Sequence, residues 1–377
     1  MTAPFRIGLE KRLDPPPYVR WLVPILSILV ALGFGAVVIG LAGADPIEAY
    51  LQILAGAFGS PAAWLDGEFY AVSETIVRTI PLILTGLAVA VAFRMRFWNI
   101  GAEGQLVVGG VFVAWVALFL PELLPGIPQT PWVYLPLMAV AAILGGALWA
   151  LVPAVLKAAL EVDEIITTIM LNFVAILTYQ YLFTGPWKDP EGQGFPGSAP
   201  FPEFAWLPRI GGRVTLGLFL ALAAAVVVWL VFDHTKLGYE IALTGENPEA
   251  ARYAGVRRAG IILAVMLLSG GLAGLAGFTE TAGISHRLQQ GLAIGNGFTG
   301  IIVAWVAKLR PGWIVLVAFL LSALFVGGDQ LQISMGLPAS IGAFFQGMIL
   351  LFVLGGDVFS RYRLRIARRA HVISAEG

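Results

Sequence analysis

The sequence predicts an all-α integral membrane protein of about ten transmembrane helices, and three observations carry that expectation. Of 377 residues, 58% are hydrophobic and 12% charged, and the mean hydropathy is +0.85; soluble domains carry roughly 25% charged residues. The apolar residues fall in blocks of about 17–25, the length of helix that crosses a hydrocarbon core. Lysine and arginine alternate between blocks. With the N-terminus in the cytoplasm, 18 of the 23 fall on the cytoplasmic side, the bias that sets orientation.

In chain order the spans are expected near 21–43, 74–93, 103–120, 133–153, 165–184, 214–232, 260–282, 296–308, 312–328 and 339–355, the eighth being short. A cytoplasmic segment, 1–20, precedes the first. The apolar run from Trp21 to Leu41 is 21 residues, longer than the roughly 7–15 of a signal peptide, so it reads as a retained span. The outer loop after it holds Asp45, Glu48, Asp66 and Glu68 and no basic residue. The transmembrane region, 21–355, contains a long cytoplasmic loop at 233–260 and leads to a basic cytoplasmic tail, 356–377. Five arginines between Arg361 and Arg369 suit an anchor to anionic membrane lipid rather than to nucleic acid.

Several chemistries are excluded. There is no cysteine, and His234, His286 and His371 are scattered, so no metal-ligand spacing exists. No GxxxxGK[ST] run occurs, so the chain hydrolyses no ATP by a P-loop. The spans hold no Ser/His, Asp/Asp or HExxH pairing, and no cofactor is expected.

Between the second and third spans, Arg94 to Gly110 sets Trp98, Asn99, Glu103 and Gln105 among glycines. Polar groups between apolar spans are costly in lipid and persist where they face a cavity or pathway. The plain alternative is a cytoplasmic hairpin with Glu103 in water. Spans 2–5 begin outside and spans 7–10 begin inside, giving two four-helix blocks of inverted topology. At the matching junction of the second block lies Ile294 to Gly300, with Asn296, Phe298 and Thr299. Interrupted segments at matching positions of inverted repeats point to a midplane solute site; with 45 glycines in the chain, chance is the competing account.

Gly295-x-Gly297-x-x-Gly300 matches a dinucleotide fingerprint formally, but an apolar span follows it and no βαβ unit exists to support that reading. Gly270-xxx-Gly274 reads as a helix-packing face. Glu161, Asp163 and Glu164, with Thr167 and Thr168, suit a helix N-terminus. Asn172, about two turns further in, needs a partner, either a neighbouring helix or a solute. In the 233–260 loop, Asn247 is a good N-cap, Pro248 suits the first helical position, Glu249 complements the dipole and Gly255 closes the end. This predicts a cytoplasmic helix too short to stand unpacked. It docks either on the protein's own helix ends or in a groove of a separate subunit.

The runs FWNIGAEGQ, VDEIITTIMLN, GENPEAARYAG and GNGFTGIIVAWVAKLRPGW, in that order, resemble the permease subunits of ABC importers for nucleosides and simple sugars, in the branched-chain-amino-acid/ribose-like permease family. The likeness is strongest to the longer permease of the basic-membrane-lipoprotein type of nucleoside system, and covers roughly 75–360. It implies a complex in a bacterial cytoplasmic (inner) membrane: two permease chains, the second a paralogue, two cytoplasmic ABC ATPases and an extracytoplasmic solute-binding lipoprotein. It further implies that Gly245, Glu246, Asn247, Pro248, Glu249, Ala250, Arg252 and Gly255 form the element the ATPase pushes. Trp98, Asn99, Glu103, Gln105, Asn172, Asn296, Phe298 and Thr299 would then line or gate the pathway. Lys308-Leu-Arg310 is more basic than the family pattern leads one to expect, and Trp305 is bulkier. The competing class is a stand-alone secondary transporter using Glu103 as a proton or ion site.

Overall fold

Residues 5–11, 18–338 and 340–368 are described by the computed structural model. Helix dominates: α1 (Val19–Leu41), α2 (Pro46–Phe58), α3 (Pro61–Leu65), α4 (Tyr70–Arg94), α5 (Ala102–Leu123), α6 (Pro131–Leu160), α7 (Glu164–Thr184), α8 (Gly217–His234), α9 (Lys236–Glu246), α10 (Pro248–Tyr253), α11 (Arg258–Glu280), α12 (Asn296–Val306), α13 (Pro311–Met335) and α14 (Ser340–Arg361). Among the described residues seven helices are long and apolar enough to cross a membrane; Ile25–Leu41 of α1 with Pro46–Leu65, which covers α2 and α3, makes an eighth if taken as one broken span. Each of the ten expected spans meets a helix. However, α12 has 11 residues, and the apolar stretch of α14, Ser340–Gly356, is shorter than a full span.

The chain divides into two compact units, Met1–Ile53 with Gly327–Gly377, and Leu54–Val326. In the first unit, α1 and α14 pack together, with Phe34 against Phe352. Gly35 accommodates the Phe345 ring, where a Cβ would collide. Beyond these helices β1 (Phe5–Lys11) and β2 (Tyr362–Arg368) form a two-stranded antiparallel ribbon, Phe5 opposite Arg368. Composition gave no sign of this ribbon. The lipid anchor expected around Arg361 to Arg369 rests on side chains that lie outside the described residues.

The second unit is organised around α4 and α11, whose most apolar windows are 89% and 72% buried, against 22% for α7 and 33% for α8. Glycine makes that centre possible. A Cβ on Gly274 would lie 2.0 Å from the Ala142 carbonyl oxygen of α6, and one on Gly109 of α5 would lie 2.5 Å from Gly274 Cα. The Gly270/Gly274 stripe is therefore a packing face, as its spacing implies. The acidic stretch before α7 also behaves as expected. Asp163 accepts the Ile165 and Ile166 N–H groups at 2.9 and 3.0 Å, Glu164 pairs with Lys157 at 2.8 Å, and Glu161 with Arg258 at 3.1 Å. What reads as an outer loop after the first span is instead helical. Pro46 and Pro61 open α2 and α3, and the Ser60 side chain accepts from Ala63 N–H.

Candidate functional site

Two polar junctions meet in the second unit. At the first, α4 ends and the chain turns through Arg96, whose φ is +59°, into α5. Asn99 is fully buried. Its Nδ2 donates to Gln105 Oε1 (3.0 Å) and Ser269 Oγ (2.9 Å), while its Oδ1 accepts from the Gly101 N–H and Gln105 Nε2, both at 3.0 Å. Ser269 in turn donates to the Ala88 carbonyl at 2.6 Å, tying α11 to α4. Asn172 on α7 accepts the Gly104 N–H (2.8 Å) and donates to the Ile100 carbonyl (2.9 Å). The partner its position demands is thus the neighbouring chain segment. A network satisfied throughout in this way is rigid, because each member's loss would orphan another.

At the second junction α11 passes through a π-helical turn, Thr281–Ser285, and a loop before α12 begins at Asn296. Gly297 lies so close to α5 that a Cβ would sit 2.2 Å from Glu103 N. The N-termini of α5 and α12 therefore abut, each carrying about half a positive charge. The Glu103 carboxylate fills the gap: Oε1 accepts the Gly295 N–H at 2.8 Å and Oε2 the Gly297 N–H at 2.5 Å. Thr85 of α4 donates to the Asn296 carbonyl at 3.0 Å. In broken-helix transporters, half-helix N-termini face anionic groups of the solute. Here the protein supplies that anion itself.

Of the residues expected along a pathway, Asn99, Glu103, Gln105, Asn172 and Asn296 are brought together, joined by Ser269 and Thr85. Thr299 is buried beside them on α12, whereas Trp98 and Phe298 are exposed. Trp98 stacks on Trp305 at 5.8 Å and meets Phe93 edge-on at 4.9 Å, which accounts for the bulk at position 305. Glu280 was not anticipated from sequence. It accepts from Asn296 Nδ2 at 3.1 Å and lies within electrostatic range of Arg78 and Glu74. Its signal was available, as the lone carboxylate within an otherwise apolar span.

The short helix of the 233–260 loop forms as its capping residues dictate. Asn247 Oδ1 accepts the Ala250 N–H at 3.0 Å, Pro248 opens α10, and Gly255 closes it at φ +80°. Ala251 is buried and Ala250 partly so; Glu246, Asn247, Pro248, Glu249, Arg252 and Gly255 are exposed, with Tyr253 98% exposed. Gly245, at the end of α9, is buried where a Cβ would lie 2.4 Å from the Arg94 carbonyl oxygen. The backbone of α9 thus touches the point from which the first polar junction departs.

A family model described as the permease component of a branched-chain amino acid transport system matches residues 71–354, from the start of α4 almost to the end of α14. The chain belongs to this family. The permease is 36% identical to a glucose ABC transporter permease protein of Haloferax volcanii over 96% of this chain and 95% of the relative. It is 34% identical to a guanosine ABC transporter permease protein of Bacillus subtilis, over 88% and 92% of the two chains. A nucleoside ABC transporter permease protein of Lactococcus lactis is 29% identical over 88% and 90%. The protein is therefore a multi-pass membrane permease component of an ABC transport system, working with ATPase and solute-binding partners. It performs no bond chemistry, since ATP hydrolysis lies in a separate subunit.

Proposed function

We propose that this permease carries an uncharged nucleoside or simple sugar inward across a bacterial cytoplasmic membrane, paired with a paralogous second permease. An extracytoplasmic lipoprotein delivers the solute, and the ATPase engages the exposed face of α10. The guanosine and glucose relatives support the substrate class. So does the electrostatics of the centre: Glu103 already neutralises the two helix N-termini, which leaves no call for an anionic solute.

The observation that carries the reading is the contact of Gly245 with the Arg94 carbonyl. A push on α9 and α10 by the ATPase reaches the start of the Met95–Gly101 turn through backbone, and that turn holds Asn99. The displacement then passes through Asn99, Gln105 and Ser269 to α11, and through Glu103 to α12. The remaining expected pathway residues, Trp98, Asn172, Asn296, Phe298 and Thr299, surround this line, and the aromatic rings offer stacking surfaces for a base or sugar face.

Vesicles containing the full complex, loaded with ATP, test the reading directly. Labelled guanosine or glucose uptake should require ATP, the ATPase and the binding protein. Glu249→Arg combined with Arg252→Glu should uncouple ATP hydrolysis from uptake while the permease still inserts. Unchanged uptake by that variant would remove α10 as the coupling element.

A further inference from the structure

A cavity of about 590 Å³ opens where the ends of α4 and α8 meet the turn between α12 and α13. Arg94, Lys308 and Arg310 line it with Trp229, Asp233 and Gly312. Three cations thus face one carboxylate. Arg94 lies 3.8 Å from Asp233 and over the Phe232 ring at 4.2 Å, so its guanidinium is held at the wall. Lys308 and Leu309 both take positive φ, +52° and +56°, a turn that brings Lys308 and Arg310 to the same mouth. This is the basic Lys308-Leu-Arg310 run of the sequence, and nothing in the transport mechanism above uses it.

The position of the cavity selects its ligand. It lies at the ends of apolar helices, the level at which tryptophan prefers the membrane interface, and Trp229 is 44% exposed there. From the mouth, α8 runs into the bilayer with Leu222 and Val226 exposed, and α13 with Leu316 and Leu320 exposed. The site therefore combines a cationic mouth with apolar walls along both helices. Basic pockets between transmembrane helices on the cytoplasmic side hold anionic headgroups in this manner.

We propose that this cavity binds the phosphate of an anionic phospholipid, with the acyl chains lying along α8 and α13. The bound headgroup bridges the end of α4, which carries the Arg94 carbonyl against Gly245, to the first turn of α13. The lipid would thereby brace the segment on which α9 bears.

Native mass spectrometry of the full-length permease in detergent, titrated with dioleoylphosphatidylglycerol, tests this. Phosphatidylglycerol should bind at least ten-fold more tightly than phosphatidylcholine, and millimolar inorganic phosphate should not displace it. At about five-fold per cation near a membrane surface, Lys308→Gln with Arg310→Gln should weaken binding roughly 25-fold. Asp233→Asn should tighten it several-fold, a gain that misfolding cannot mimic. The tail arginines are retained in every variant, so differences between variants read the mouth alone. Equal binding of the two lipids, displacement by inorganic phosphate, or indifference to both sets of substitutions would overturn the proposal.

Discussion

The two junctions of the polar centre do the same topological job by different means. Met95 to Gly101 turns the chain in seven residues, and the amides of Asn99 and Gln105 are buried and mutually bonded. Thr281 to Gly295 takes fifteen residues, with a π turn, a left-handed His286 and two glycines at φ +119° and +95°. Its ties to the centre come from elsewhere, namely the Glu103 carboxylate and the Thr85 hydroxyl. The comparison teaches that one junction is an anchor and the other is moored. The moored element is α12, a short helix whose body packs on α4 with Gly300 against Thr85.

The largest expected effect breaks the mooring. Glu103→Leu leaves the Gly295 and Gly297 N–H groups without acceptors, at about 1–3 kcal/mol each, so a loss near 4 kcal/mol is expected in thermal denaturation in detergent. Glu103→Gln, keeping one acceptor, should lose about half. A loss under about 1 kcal/mol for the leucine variant would mean that α12 is held by something else.

Next in size comes the anchor. Gln105→Leu removes both of its hydrogen bonds with Asn99, whose amide keeps the Gly101 N–H and Ser269 Oγ, so about 2 kcal/mol should be lost. Asn296→Leu removes one hydrogen bond to the partly exposed Glu280 and should cost about 1 kcal/mol. Equal losses at the two sites, measured in the same assay, would erase the distinction between the junctions.

The smallest effect belongs to the looser loop. His286 stacks on Trp206 with ring centroids 4.3 Å apart. Burial pushes its imidazole below the ordinary histidine value, and the Arg209 guanidinium acts in the same direction. The folded state favours the neutral ring, so this contribution is present above the unfolded histidine pKa of about 6.5 and is lost as pH falls through the lowered value. A modest drop in Tm between pH 7 and pH 5 is expected, and it should vanish in His286→Phe, which keeps the stack. The same drop in the phenylalanine variant would assign the titration to another group.

Much of this was legible in the sequence wherever the physics is local. Asn247-Pro248 and Asp163 announce their helices because a cap acts over three residues, and Gly270/Gly274 announces a packing face because the period is one turn. The polar centre was located as well, since amides among glycines between apolar spans stand out. What they bond to was not legible. Asn99 reaches Ser269 across 170 residues, and Glu103 reaches Gly297 across 194. A single sequence does not encode such pairings in any spacing. Glu280 was passed over because an isolated carboxylate within a span carries no motif. The β1–β2 ribbon pairs Phe5–Lys11 with Tyr362–Arg368, and neither strand has a local signal strong enough to stand alone.

The glycine contacts between α5, α6 and α11 bear on how the molecule is made. Gly146 touches Gly270 and Gly274, and Leu106 touches Gly277, backbone against backbone. During synthesis the α5–α6 hairpin is complete at Leu160, well before α11 begins at Arg258. Until Gly277 emerges, its small-residue furrow lies open to lipid or to any stray helix. Biogenesis of this permease therefore passes through a stage in which half of its tightest seam waits, uncovered, for the other half to be translated.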